Sequence, residues 1–398
     1  MFESRRVFRA VLTCSAGFAI VGCSAGDPSQ TARGPEPTAA ATVEPGASRR
    51  IDATSADNGP PSRASDPFWS QIPEGYVPMP RGWVHPSCAH EVPPGATIGG
   101  DGTTVLMGEG SDKRVIAKYD SCRYPIVRPT GESRPYAKHP NGAFEPLARP
   151  DSPVAGTGTW FLMAYEECGN LYNDSPHLTN ACGASDYISS IETTWTIPDA
   201  GGGSGLTTFL WSGAITTCEG EINCPAGANQ WLAQTVSQFG PSVSGGGNWW
   251  ALANMIVTPG NNVFYDAAFP ATNSTACEGQ TVTSTQYLDG GYLYCSKYTG
   301  CGHSSTLCKE VNYPNPAPVW NIALPGVLEL SSPPTSCSQI PGGSSDEVQF
   351  TIDYIYNSEG QNVVSALADY NNVPLALPNC NWSVSVGTPS SPTSSLEF

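Results

Sequence analysis

The chain has 398 residues, of which 13% are charged, and its formal net charge is −17. Phosphate binding needs a clustered basic surface, so this composition excludes nucleic acid as a partner. The 42 glycines and 37 prolines punctuate short runs rich in Thr, Val, Ile, Tyr, Phe and Trp, with no long apolar repeat of helical period, which excludes a helical or α/β design.

At the N-terminus Arg5, Arg6 and Arg9 precede an apolar stretch from Ala10 to Gly22 that is short for a bilayer span. It ends in Ile20-Val21-Gly22-Cys23, which resembles a bacterial lipobox, with Ser24 following. The expectation is a lipoprotein signal peptide over 1–22 and lipidation of Cys23; a plain secretory signal is the rival reading. On the first reading the protein is extracytoplasmic, held at the outer membrane or cell surface only through its lipid. Residues 23–66 are almost entirely small, polar or charged, with Val43 and Ile51 the only large aliphatics, so they read as a disordered tether.

Residues 67–150 carry two short strand candidates around a Gly-Asp-Gly turn, bracketed by Cys88 and Cys122, and are expected to form a small β module, pro-segment or lid. His85, His90 and Glu91 are metal-ligand types, but Pro86, Pro93 and Pro94 prevent the helix on which His-Glu-x-x-His sites are built. A structural role is expected for these histidines, and no metal or cofactor is expected anywhere.

From 151 to 386 the pattern is that of strands packed on one side. Ile191, Thr193, Trp195 and Ile197 share a face before Pro198 ends the strand, and Phe209, Trp211, Gly213 and Ile215 alternate likewise. Val348, Phe350, Ile352, Tyr354 and Tyr356 fall on one face, opposite Gln349, Thr351 and Asp353. Many such strands imply an all-β, two-sheet antiparallel sandwich. Residues 387–398 read as a flexible tail, and a monomer is expected. Setting aside Cys14 in the leader and Cys23 leaves twelve cysteines, enough for six disulfides. Spacing suggests Cys88 with Cys122, Cys168 with Cys182, Cys218 with Cys224, Cys277 with Cys295, Cys301 with Cys308, and Cys337 with Cys380. Sequence does not prove connectivity, but C-x-x-C zinc spacing is absent.

The main domain has no Gly-x-Ser-x-Gly, no phosphate-binding Gly-x-x-x-x-Gly-Lys and no Asp-Thr/Ser-Gly, and of the five histidines only His177 and His303 lie in it, so a histidine-based triad is hard to assemble there. In the segment from Trp231 to Phe239, alternation puts Leu232, Gln234, Val236 and Gln238 on one face and Trp231, Ala233, Thr235, Ser237 and Phe239 on the other. Two amides on one strand face point to a polar groove on the outside of a curved sheet, with Trp249 and Trp250 lining or capping it.

Thr194-Trp195-Thr196-Ile197-Pro198, Trp211-Ser212-Gly213-Ala214, Leu232-Ala233-Gln234-Thr235 and Trp249-Trp250 follow the order of motifs in the eqolisins, the glutamic peptidases. The family shows Thr-Trp-Thr-Val-Pro, Trp-Val-Gly-Ile-Asp-Gly, Ile-Leu-Gln-Thr-Gly and Trp-Tyr-Glu-Trp in that order. Its catalytic glutamate closes an Ala-Glu-Trp-Ile-Val-Glu strand, for which Val327-Leu328-Glu329 is the nearest counterpart. The resemblance covers roughly residues 187 to 356. It implies a concanavalin A-like, jelly-roll type sandwich and an acid endopeptidase. In that reading Glu329 is the general base and Gln234 the oxyanion donor, with Trp211, Gln238, Trp249 and Trp250 at the substrate. Two departures stand out: Ala214-Ile215-Thr216 lacks the acidic residue of the second motif, and Ala251 replaces the glutamate of the fourth.

The alternatives keep the fold and change the chemistry. Gln234 can be a sheet-face amide bonded to its neighbours, and Glu329 an exposed strand carboxylate. A sheet lined by Gln234, Gln238, Asn248, Trp249 and Trp250 can also bind glycans without catalysis, since sugar rings stack on indoles and amides bond hydroxyls. A glycosidase needs two facing carboxylates; Glu166, Glu167 and Asp266 are candidates that read more readily as solvated turn residues.

Overall fold

The computed structural model describes residues 72–80, 82–124, 126, 136–138, 144–146, 160–167, 187–199, 206–215, 232–258, 260–268, 277–290, 292–311, 320, 322–332, 347–364, 368–371, 383–388 and 391–397. The leader, Cys23, the tether, and Cys168, Cys182, Cys218, Cys224, Cys337 and Cys380 lie outside these residues.

The first strands are β1 (Val77–Met79), β2 (Gly82–Val84), β3 (Ala89–Glu91), β4 (Thr97–Ile98), β5 (Thr104–Met107), β6 (Arg114–Lys118), β7 (Tyr136–Lys138) and β8 (Phe144–Pro146). Next come β9 (Trp160–Glu167), β10 (Ile188–Thr196), β11 (Thr208–Ile215), β12 (Leu232–Phe239), β13 (Trp250–Val257), β14 (Val263–Ala268) and β15 (Thr281–Asp289). The last are β16 (Leu293–Gly300), β17 (His303–Glu310), β18 (Ile322–Leu330), β19 (Glu347–Asn357), β20 (Ala368–Asn371), β21 (Ser383–Thr388) and β22 (Ser391–Glu397). Among the described residues there is no α-helix.

Two large sheets form a sandwich. One runs β21-β22-β19-β10-β15-β16-β17-β4-β5-β6, the other β20-β9-β18-β11-β12-β13-β14-β3. The long strands pair antiparallel, and the parallel pairs β14·β3 and β17·β4 arise where residues 89–98 join the edges. The strands from the expected N-terminal module therefore divide: β3 extends one sheet and β4, β5 and β6 extend the other, while β1 and β2 form a separate hairpin.

Two apolar clusters fill the space between the sheets. One gathers Trp195, Val282 and Phe350 from one sheet with Leu210, Phe239, Trp250 and Leu328 from the other. The second gathers Ile191, Tyr294, Leu307 and Ile352 with Ala214, Ala233, Ile256 and Phe264. Every position of β11, β12 and β13 is buried, so these strands are covered on both faces, unlike the one-sided strands the sequence suggests. The second cover comes from Met79, Val84 and Cys88, which join Phe209, Trp211, Val236 and Val327 in a third cluster on the outer face of the eight-stranded sheet.

The alternation expected for β19 holds as far as Ile352 and then inverts. A register shift against β10 between Glu192 and Thr193 turns Ile355 into the core, while Tyr354 and Tyr356 stay half-buried and stack at 4.7 Å. Cys88–Cys122 forms as expected. The pairs expected for Cys277, Cys295, Cys301 and Cys308 do not: the structure joins Cys277 to Cys301 and Cys295 to Cys308. The reason is the pair of hairpins. β15 and β16 run antiparallel, which brings the residue before β15 and the residue after β16 to the same end, while Cys295 and Cys308 face each other directly across β16 and β17.

Candidate functional site

The strand register places the sequence-derived site residues. Phe209 on β11 faces Gln238 of β12 on one side and Glu329 of β18 on the other. Trp211 faces Val236 and Val327, and Gly213 faces Gln234 and, past a bulge, Leu324. Directly opposed residues share a face, and so do positions i and i+2. Gln234, Gln238, Trp211 and Glu329 therefore all lie on the outer face of the eight-stranded sheet. Gln234 and Glu329 are separated by β11 and by two same-face steps along it, from Gly213 to Phe209, with Trp211 on the diagonal between them.

Both candidate catalytic side chains are buried there, Gln234 at 0% exposure and Glu329 at 1%. Burial rules out the exposed strand carboxylate as the reading of Glu329. The indole N–H of Trp211 donates to Glu329 Oε2 at 3.2 Å. Gln234 Nε2 donates to Met255 Sδ at 3.5 Å, a weak acceptor, and its Oε1 has no hydrogen-bond partner. An unpaired buried acceptor costs on the order of 1–3 kcal/mol, so this amide is poorly explained as a satisfied core group. Gly213 is what permits its position: a Cβ there would lie 2.7 Å from the Ala233 carbonyl oxygen and 2.9 Å from Gln234 Cβ. Gly213→Ala is expected to push β11 from β12 under Gln234 and cost about 1–3 kcal/mol, measured by urea denaturation.

Gln238 is occupied otherwise. Its Nε2 donates to the carbonyls of Gly240 at 2.8 Å and Gly245 at 2.7 Å, and its Oε1 accepts from Ser242 and from Ser244 at 2.8 Å. All four of these amide bonds go to the turn that follows β12, so Gln238 shapes the 240–247 loop. Trp249 folds back on that loop, its backbone N–H donating to the Gly247 carbonyl at 2.7 Å and its ring filling the space a Cβ on Gly247 would need. Trp250 does not line the outer face. It pairs with Phe239, which points inward, and so it packs between the sheets at 1% exposure with its ring 5.5 Å from Phe239.

Less visible in the sequence is a second buried polar group, a belt between the two inter-sheet clusters. Thr235 Oγ1 donates to Asn254 Oδ1 at 3.0 Å, and Ser296 Oγ donates to the same oxygen at 3.0 Å. Gln286 Nε2 donates to Ser284 Oγ at 2.7 Å, and Ser212 Oγ donates to Thr193 Oγ1 at 3.1 Å. Asp266, read as a solvated turn residue, sits in this belt at 2% exposure because it lies mid-strand on β14, directly opposite Asn254. It accepts from the Asn254 backbone N–H at 2.6 Å, from Asn254 Nδ2 at 3.1 Å and from Ser305. Burial pushes its carboxyl up to about 6, against the opposing pull of these donors. The visible clue was that Thr235 and Ser237 share a face with Phe239.

Asp266 gives a signed pH dependence. Its pKa when folded lies above the unfolded value, so its contribution to stability is complete below about pH 4 and is lost as pH rises through 6. Two pKa units correspond to about 3 kcal/mol. The protein is expected to melt at a higher temperature at pH 4.5 than at pH 7.5, and Asp266→Asn is expected to flatten that slope in calorimetry; a slope unchanged in the variant contradicts the assignment.

His85 and His90 pack against neighbouring rings. His85 caps the short turn at Pro86–Cys88 and stacks on Tyr124 at 3.9 Å, and His90 stacks on Tyr119 at 3.8 Å beside Asn262. Among the described residues no cluster of three metal-ligand side chains occurs. Glu166 and Glu167 lie at the end of β9, paired in register with Ala323 and Ile322.

No protein-family model and no curated protein matches the chain. Among solved structures it is similar to scytalido-glutamic peptidase with a transition state analog inhibitor, at TM-score 0.37 and 14% identity over 60% of this chain and 98% of that one. It is also similar to SCP-B, a member of the eqolisin family of peptidases in complex with the tripeptide Ala-Ile-His, at TM-score 0.32 and 12% identity over 60% and 98%. A third is a Bacteroides ovatus mixed linkage glucan GH16 protein in complex with its G4G4G3G product, at TM-score 0.24 and 11% identity over 70% and 86%. At these values none of them assigns the chain to a family.

Proposed function

We propose that this protein is an exported endopeptidase of the glutamic type, resembling the eqolisins, with Glu329 as general base and Gln234 as oxyanion donor. The observation that carries the reading is the joint placement of Gln234 and Glu329, buried on one sheet face with Trp211 between them and bonded to the carboxylate. A water held by Glu329 loses a proton to the carboxylate as it attacks the peptide carbonyl carbon. The carbonyl oxygen becomes an oxyanion that accepts from Gln234 Nε2, which gives up only its weak bond to Met255. Glu329 then returns the proton to the leaving amine as the C–N bond breaks. The Trp211 indole N–H, donating to Oε2, holds the carboxylate in place on this face. The partner is thus an unfolded protein or peptide segment, bound at one site per monomer.

Export agrees with the three disulfides among the described residues, since such bonds persist in oxidising compartments. Lipidation at Cys23 accounts for retention at the cell surface and is tested by a palmitate label lost in Cys23→Ser. The non-catalytic glycan reading is weaker on this face, because Gln238 is spent on its own turn and Trp250 packs inside. The deciding experiment is cleavage of an unfolded protein by the purified chain from about pH 2 to 7. Cleavage in acid supports a peptidase; glycan binding by a folded protein that cleaves nothing at any pH favours the binding module.

A further inference from the structure

The outer face that carries Gln234 and Glu329 is covered by the protein's own N-terminal hairpin. β1 and β2 pair Val77 with Val84 and Met79 with Gly82, which turns Val77, Met79 and Val84 to one side. Met79 is 1% exposed and Val84 0%, both in the cluster that contains Phe209, Trp211, Val236 and Val327. These four residues are the same-face neighbours of Glu329 and Gln234 in the register. The hairpin also takes a backbone bond from the turn that Gln238 shapes: Val243 N–H donates to the Pro78 carbonyl at 3.0 Å.

On its C-terminal side the hairpin runs into fixed chain. After Val84 the chain is fixed by Cys88–Cys122 and by the pairing of β3 with β14. The hairpin is its own two-stranded sheet and adds no strand to the eight-stranded sheet it covers. His85, at the boundary, stacks on Tyr124, while Tyr76 meets it edge-on at 5.7 Å. Among the described contacts, apolar side chains and the Val243–Pro78 bond hold the hairpin over the face, ahead of a disulfide that would keep β3 in place if it left.

We infer that β1 and β2 form an internal plug that occupies the peptide groove and must leave it before a substrate enters, an inference that rests on the peptidase reading of this face. The plug also states what the groove accepts: an extended segment with apolar side chains on alternate positions, a long unbranched one where Met79 now packs. Substrates with Met at that position are favoured over those with Asp or Lys.

The test uses the full chain. Amide hydrogen exchange of the wild type is expected to show Val243 N–H and the hairpin amides opening about 100-fold more readily than the centres of β11 and β12. Exchange of the hairpin only through global unfolding overturns the plug, whatever any variant does. In Met79→Asp, protection of the hairpin is expected to fall while that of β11 and β12 stays. This variant is expected to bind a synthetic peptide of residues 74–86 at least about tenfold more tightly than the wild type, whose own hairpin competes. Failure of the opened variant to bind the peptide overturns the plug. Peptide binding without any cleavage at pH 2–7 keeps the plug and removes the peptidase reading. Full-rate cleavage by a wild type whose hairpin stays protected does the reverse.

Discussion

Glu329→Gln is expected to lower acid cleavage of an unfolded protein by about 10²–10⁴-fold, the range for removing a positioned general acid–base group. The upper end is expected here because the same carboxylate serves both the attack and the departure of the amine. The substitution is near isosteric and keeps an oxygen to accept from Trp211, so folding is expected to change little. Gln234→Ala removes one oxyanion donor and is expected to cost about 10²–10³-fold in kcat. The two together are expected to cost no more than Glu329→Gln alone, because groups that act on one transition state are not additive. Activity of Glu329→Gln within threefold of wild type refutes the assignment, provided near-ultraviolet circular dichroism shows the fold intact.

Trp195→Ala is expected to be the most destabilising single substitution in the inter-sheet core, at about 3–5 kcal/mol. The indole is 1% exposed, packs against Phe350 with ring centroids 5.2 Å apart, and donates its N–H to Ser237 Oγ at 3.1 Å. Truncation leaves a large cavity between β10, β12 and β19 and removes the Ser237 partner. For a domain of this size the loss corresponds to a fall in Tm on the order of 10 °C. Trp195→Phe retains most of the buried apolar surface and loses the hydrogen bond, so it is expected to cost about 1–2 kcal/mol. Calorimetry separates the two; equal losses for Ala and Phe contradict a packing role.

Several features were legible in the sequence because they depend on the two-residue period of a strand. Trp195 and Ile197 inside, Gln234 with Gln238 on one face of β12, and Thr235 with Ser237 and Phe239 on the other all follow from alternation. The Cys88–Cys122 staple was legible because it closes a local loop. Tyr354 and Tyr356 escaped this logic: a bulge in which Asp353 of β19 has no counterpart on β10 reverses the alternation, and it shows only in the pairing of the two strands.

The rest depended on which strands become neighbours. That β11 lies between β12 and β18, so that Gln234 and Glu329 share a face with Trp211 between them, is a property of the sheet order and of a register set more than a hundred residues apart. Cysteine pairing went to Cys301 and Cys308 because hairpins return the chain to the same end, which spacing does not show. The burial of Asp266 needed a second sheet above it, and the covering of the outer face needed the hairpin from residues 77–84. Local alternation determines which way each side chain points; only the tertiary structure decides what stands opposite it, because burial and pairing come from segments the local pattern never meets.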